Sequence, residues 1–243
     1  MAYEFESRVR YSETDMDRKL TMVSLANYFQ DCSTFQSEGC GRGLDYLEEQ
    51  KRVWMVLSWQ IDILRLPLLG EKIRVQTWPY AFKDFYGMRN FALAQEDGTY
   101  LAKANSVWVF MDRESGRPCK VLPENISGYE MEPKLDMEYG SRKIRTGKDG
   151  EGADPFFVVR HHLDSNHHVN NGQYIAMAQE YLPEQFQTSR LRVEYRKQAR
   201  LHDRIFPVIY QEGEKVTVSL GDGEGQAYAV VEFIQKGEEG CFA

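Results

Sequence analysis

The sequence predicts an α+β chain made of two copies of one plan, a helix followed by an antiparallel meander. Three observations carry this. Tyrosine, phenylalanine and tryptophan make up 13% of the 243 residues and fall mostly in alternating, strand-like runs. Apolar residues take helical spacing after a short polar turn once in each half. Those two turns overlay at one constant offset, Thr14-Asp15-Met16-Asp17-Arg18-Lys19-Leu20-Thr21 on Leu163-Asp164-Ser165-Asn166-His167-His168-Val169-Asn170.

In the first half, Glu4 to Tyr11 alternates, with Phe5, Ser7, Val9 and Tyr11 on one face, and reads as an opening strand. Leu25, Tyr28, Phe29, Cys32 and Phe35 then recur every three or four residues, a helix ending near Gly39 and wrapped by sheet. Beyond a Gly-rich connection, Val53 to Leu64 is a long strand with a kink midway, and Lys72 to Trp78 is the next. Gly87 to Gln95 and Tyr100 to Met111 flank Glu96-Asp97-Gly98-Thr99, a hairpin signal. From Gly128 to Gly152 the pattern dissolves into charged, Gly-rich sequence, which reads as a solvated linker. The boundaries expected are thus 1–127 for the first domain, 128–152 for the linker and 153–243 for the second domain.

The second half repeats the order. Phe156 to His162 reads as a strand, the polar cluster after it as a turn, and Gly172 to Leu182 as a helix that Pro183 stops. Four strand candidates follow, at Arg190 to Tyr195, Arg204 to Tyr210, Lys215 to Leu220 and Ala227 to Ile234.

Composition narrows the function classes. Acidic residues outnumber basic ones 37 to 30, a net charge of −7, which argues against nucleic acid or a membrane surface as the main partner. No apolar run approaches the ~20 residues of a membrane span. Cys32, Cys40, Cys119 and Cys241 have neither metal-type spacing nor dense pairing and read as free thiols in a reducing cytoplasm. The N-terminal Met-Ala-Tyr-Glu-Phe-Glu lacks the basic and apolar regions of a signal peptide.

Four of the five histidines sit in Arg160-His161-His162-Leu163-Asp164-Ser165-Asn166-His167-His168-Val169-Asn170-Asn171, just before the second helix. Asp and Asn in such a stretch commonly serve as turn residues. Held at a helix N-terminus, with Asn170 or Asn171 as the N-cap, the same cluster also suits chemistry that develops negative charge. If the chemistry is attack on a carbonyl, backbone N–H groups near Val169 to Asn171 would polarise its oxygen, and either His168 or Asp164 would orient and deprotonate water or Asp164 would itself attack the carbon. Asp164, Asn166 and His168 are two apart, so they share a side only if the stretch is extended. No metal is expected, because no histidine spacing here matches a metal site.

The stretch Asp164-Ser165-Asn166-His167-His168-Val169-Asn170-Asn171, followed by Tyr174, resembles the motif of the acyl-acyl-carrier-protein thioesterases of plants and bacteria. Gly87-Met88-Arg89, Ala104 to Asp112, Lys120-Val121-Leu122-Pro123-Glu124 and Trp78 extend the resemblance from about Phe5 to Ile234. It implies two tandem hotdog domains, each a curved antiparallel sheet wrapped around a long helix. It implies release of free fatty acid from acyl carrier protein in fatty acid biosynthesis, with the catalytic Asp, Asn and His falling on Asp164, Asn166 and His168 and with no cofactor. The family's Glu-Tyr-Arg-Arg-Glu-Cys stands here as Glu194-Tyr195-Arg196-Lys197-Gln198-Ala199, so Gln198 replaces a carboxylate and Ala199 a thiol. A cysteine nucleophile is excluded at that position. Val169, Asn170, Asn171 and Gln198 would support the site or its oxyanion region. The acyl chain would lie in the first half, with Leu25, Phe29, Trp54, Val56 and Trp108 as lining candidates, and Arg89 is read either as a surface residue or as a contact for phosphopantetheine or a carrier carboxylate. The partner implied is acyl carrier protein with its phosphopantetheine-linked chain, met through Arg8, Arg10, Arg142, Lys143 and Arg145, by a monomer or homodimer. Acyl-CoA hydrolysis on the same fold and noncatalytic binding of an acyl thioester are the competing expectations.

Overall fold

Helix α1 (Met22–Gly39) begins where the Thr21 hydroxyl accepts the Ser24 N–H at 3.1 Å, a side-chain cap on an otherwise unpaired first turn. Met22, Leu25, Ala26, Phe29, Cys32, Ser33 and Gln36 recur at three- and four-residue spacing and are buried. That stripe lies against strands β1 (Tyr3–Arg8) and β3 (Lys72–Lys83). With β2 (Arg52–Ile63), β4 (Tyr86–Ala94) and β5 (Tyr100–Asp112), these strands form an antiparallel sheet in the order β1-β3-β4-β5-β2. The kink in the long strand is a register shift between Val56 and Ser58. A short helix, α2 (Leu44–Glu49), occupies the connection that the sequence marks only as Gly-rich; six residues are too few to show a period.

The computed structural model describes residues 2–235, and Cys241 lies outside them. The chain divides into two units, Met1–Gly140 and Ser141–Ala243. In the second, helix α3 (Asn171–Gln179) lies against β10 (Lys215–Gly221) and β11 (Ala227–Gln235). β8 (Thr188–Tyr195), β9 (Arg204–Glu212) and β6 (Glu151–Gly152) complete an antiparallel order β8-β11-β10-β9-β6, and β7 (Phe156–Phe157) pairs with β9. Each unit is thus an antiparallel sheet with one principal helix, the α+β plan predicted.

Three expectations need correction. The strand read over Phe156 to His162 is extended only at Phe156–Phe157, and Arg160–His162 forms a 3-10 turn. The second helix ends at Gln179, not at Leu182. The stretch 128–152 is not a free tether. Buried Asn90 accepts the Leu135 N–H and the Tyr139 hydroxyl, Trp78 donates to the Pro133 carbonyl at 2.8 Å, and Gln60 bonds the backbone of Glu138 and Gly140. In the second unit the buried Glu194 carboxylate accepts the Ile144 N–H at 3.0 Å. Polar side chains of the two sheets need partners when buried, and the backbone of this segment supplies them.

The internal repeat is far closer in geometry than in sequence. A 3-10 turn at Tyr11–Glu13 corresponds to one at Arg160–His162, and the N-cap Thr21 to the N-cap Asn170. Between them, Arg18 and His167 both take a left-handed φ of 60°. Isolated bridges close the two loops, Thr14 with Leu20 and Leu163 with Val169. The turn after the long strand is duplicated too: Leu20 donates to the Pro67 carbonyl at 2.8 Å, and Val169 to the Ala199 carbonyl at 3.0 Å.

Candidate active site

Asp164 builds the loop that holds it. Its Oδ1 accepts the Asn166 N–H at 2.8 Å and the His168 N–H at 3.3 Å. Its own N–H donates to the His168 carbonyl at 2.8 Å, and its carbonyl accepts the His167 N–H at 3.1 Å. Aspartate suits this position because a short carboxylate can satisfy backbone N–H groups two and four residues on. Asp15 makes the same pair of bonds to Asp17 and Lys19, both at 2.9 Å. The stretch is therefore neither the extended segment that alternation demanded nor a helix. It is a closed turn, and closure rather than strand periodicity brings Asp164 and His168 together.

His168 is half-buried, and its Nδ1 is enclosed without a hydrogen-bond partner among the described residues. Burial holds its pKa below the ordinary histidine value, Arg200 and His167 lower it further, and Asp164 opposes them. The imidazolium carries two N–H donors, so protonation would leave a buried donor unpaired or add to its cost. His168 is accordingly neutral at pH 7, able to accept a proton, with a carboxylate nearby to stabilise the cation that results.

The helix N-terminus is assigned unambiguously. Asn170 is the N-cap, its Oδ1 accepting the Gly172 N–H at 2.8 Å. Two of the backbone donors expected to polarise a carbonyl are committed elsewhere: Val169 donates to Ala199, and Asn170 to the His162 carbonyl at 2.8 Å. This corrects the oxyanion reading for Val169 and Asn170, whose N–H groups stitch the loop to its neighbours. Val169 is buried, and Asn171 offers its carbonyl to the Tyr195 hydroxyl at 3.0 Å. Gln198 is exposed, one residue from the Ala199 that pairs with Val169, so the amide standing in for the family's carboxylate borders the loop.

The remaining histidines have separate duties. His162 accepts the Val159 N–H on Nδ1 at 3.1 Å, the part Glu13 plays for Arg10 in the first unit. Burial and the neighbouring His161, whose ring lies 4.3 Å away, hold the pKa of His162 down. His161 and His167 are exposed.

Of the lining candidates in the first unit, Leu25, Phe29 and Val56 are buried core. Phe29 stacks on Trp59 at 6.2 Å, and Trp59 meets Trp108 edge-on at 6.2 Å. Trp54 belongs to a different group, with Phe110 at 4.7 Å and Phe82 at 6.1 Å. The aromatic candidates thus fall in two clusters, Phe29 and Trp108 in one and Trp54 in the other, and Trp59 and Phe91, which join the first, carry no distinguishing sequence signal. Arg89 is not a surface contact. It is 8% exposed, bonded through Nη1 to Gln36 and Thr77, with its guanidinium 5.5 Å from the Tyr129 ring. Arg8 and Arg10 belong to the first unit, Arg142, Lys143 and Arg145 to the second.

Sequence reasoning missed two neighbours of the loop. Arg200 acts on the charge of His168, and Ala199 is bonded both to Val169 and to the Tyr174 hydroxyl. Both lie beyond the end of β8, at and just after the stretch that matches the family's Glu-Tyr-Arg-Arg-Glu-Cys, and only the fold shows that this stretch meets the loop.

The family models for the acyl-ACP thioesterase N-terminal and C-terminal domains match residues 1–129 and 148–234. A chloroplastic acyl-[acyl-carrier-protein] hydrolase of Cuphea viscosissima is 28% identical over 218 residues, covering 79% of this chain and 50% of the relative. A chloroplastic oleoyl-acyl carrier protein thioesterase of Arabidopsis thaliana is 24% identical over 224 residues, covering 84% and 62%. The chain spans about half the length of the first of these relatives. The crystal structure of an acyl-ACP thioesterase from Bacteroides thetaiotaomicron shares the fold with a TM-score of 0.88 at 20% identity, covering 97% of this chain and 98% of that one. That of a 12:0-ACP thioesterase from Umbellularia californica does so with a TM-score of 0.82 at 19% identity, covering 97% of each.

Proposed function

Because the chain belongs to the acyl-ACP thioesterase family, we propose that it hydrolyses the thioester between a fatty acyl chain and the phosphopantetheine of acyl carrier protein. The observation that carries the reading is the neutral, half-buried His168 held beside Asp164 at the mouth of α3. Water attacks the carbonyl carbon as neutral His168 takes its proton; a C–O bond forms, the C–S bond breaks, and the thiolate leaves and takes that proton from His168, which returns to neutral. A thiolate is a good leaving group, so a small constellation suffices. The Asp164 carboxylate shapes the loop through Oδ1 and stabilises the imidazolium as it forms. The Asn166 carboxamide is assigned to the carbonyl oxygen, and the positive end of α3 favours the charge that develops there. The acyl chain is assigned to the first unit, with Leu25, Phe29, Trp54, Val56 and Trp108 around it. Free thiols at Cys32, Cys40 and Cys119 accord with a reducing, cytoplasmic setting, and the family's chemistry accords with a place in fatty acid biosynthesis.

The test is release of thiol from a long-chain acyl carrier protein and from the matching acyl-CoA. The wild type turns over the carrier-bound substrate faster, and His168→Ala loses at least ~100-fold, the scale of a general base. Undiminished turnover in His168→Ala would remove this site. Faster turnover of the CoA ester would make the chain an acyl-CoA thioesterase, and tight acyl binding without turnover would make it a binding module, for which Gln198 in place of a carboxylate is the motivating feature.

A further inference from the structure

The two units solve the same backbone problem differently at one pair of positions. At the turn after the long strand, Pro67 in the first unit corresponds to Ala199 in the second, and both carbonyls accept the N–H that precedes the helix cap, from Leu20 and Val169. At the matching place in the helices, Leu25 of α1 corresponds to Tyr174 of α3, and both are buried. Proline has no N–H, so a leucine is enough in the first unit. Ala199 has one, it is buried, and the Tyr174 hydroxyl accepts it at 3.0 Å. A buried backbone donor without an acceptor is costly, so each pair is internally consistent and neither half of a pair can be exchanged alone.

We infer that Tyr174 is a positioning residue for the proposed hydrolysis: through Ala199 its hydroxyl ties the first turn of α3 to the turn that carries Gln198 and Arg200 and, by the Ala199–Val169 bond, to the loop of Asp164 and His168. The inference rests on the function proposed above. Tyr174 does not touch the reacting atoms in this scheme. It fixes two things that do matter to His168: where the loop ends, and the backbone of the turn from which Arg200 projects. The charged and titratable neighbours of His168 are Arg200, Asp164 and His167, and only Arg200 is carried by the turn that Tyr174 holds.

Three variants test this: Tyr174→Phe, Tyr174→Leu, and Tyr174→Leu combined with Ala199→Pro, which reproduces the pairing of the first unit. The readouts are kcat and KM on acyl carrier protein, the urea midpoint, and the titration of the His168 ring by NMR. Tyr174→Phe should lower kcat by about 10- to 100-fold, the scale of an ångström-sized misplacement, with KM little changed. The His168 titration should move up toward the ordinary histidine value as Arg200 drifts away. In the double variant the urea midpoint and the His168 titration should return toward wild type, because the proline removes the donor that lost its acceptor. Unchanged kcat and unchanged His168 titration in Tyr174→Phe overturn the inference, as does a double variant no more stable than Tyr174→Leu. A wild type that hydrolyses no thioester would sink the proposed function, while the His168 titration and the urea midpoints would still decide whether Tyr174 sets the loop.

Discussion

Replacing Asp164 by asparagine separates two tasks that one carboxylate performs. Oδ1 accepts the N–H groups of Asn166 and His168 at 2.8 and 3.3 Å, and an amide oxygen can keep both. What asparagine cannot keep is the negative charge beside the His168 ring. Asp164→Asn should therefore cost the second unit less than about 1 kcal/mol of stability, while turnover falls by ~10²–10⁴-fold, the range for losing assistance to a general base. Asp164→Ala removes the acceptor as well, and two hydrogen bonds of about 0.5–1.5 kcal/mol each set an added cost of about 1–3 kcal/mol. The first unit supplies the control. Asp15 makes the same two bonds, both at 2.9 Å, but the histidine position is occupied by Lys19. Asp15→Ala should lose stability as Asp164→Ala does and leave turnover near wild type. The assays are urea denaturation followed by far-UV circular dichroism, which reads both units, and thiol release from acyl carrier protein. Full activity in Asp164→Asn, or an equal loss in Asp15→Ala, would refute the assignment of charge to one loop and shape to both.

Two further outcomes are expected. Burial and, after it, Arg200 hold the His168 pKa below the ordinary histidine value; since the neutral ring is the active form, the acid limb of kcat/KM should fall below pH ~6.5. Arg200→Gln removes a repelling cation, makes protonation easier, and should shift that limb upward; a limb that stays in place would show that another group sets it. Gln198→Glu returns a carboxylate to an exposed position bordering the loop. Turnover should rise with little change in stability, and an unchanged or lower rate would show that the loop already supplies all the base the reaction uses.

Much of the site was legible because local chemistry carries it. Asp164 bonds to residues two and four positions on, and Asn170 caps its own helix, so short-range rules reach both. The helix stripe from Leu25 to Cys32 and the hairpin at Glu96 to Thr99 are periodic or turn-typed and equally local. The failures are nonlocal. Nothing within a few residues of Val169 says that its N–H is taken by Ala199, and nothing near Arg89 says that Gln36 and Thr77 enclose it.

The sequence by itself determined the two-copy α+β plan, the family motif and the cluster at Asp164, Asn166 and His168, because periodicity, turn chemistry and motif spacing are properties of neighbouring residues. Only the tertiary structure decided what those groups can do. It placed Arg200 near His168, committed the Val169 and Asn170 N–H groups once assigned to an oxyanion, and turned the supposed linker into a backbone that satisfies buried side chains. The physical reason is the same in each case: charge interactions and the pairing of buried polar groups depend on distance in space, and strands bring together residues that the chain keeps tens of positions apart.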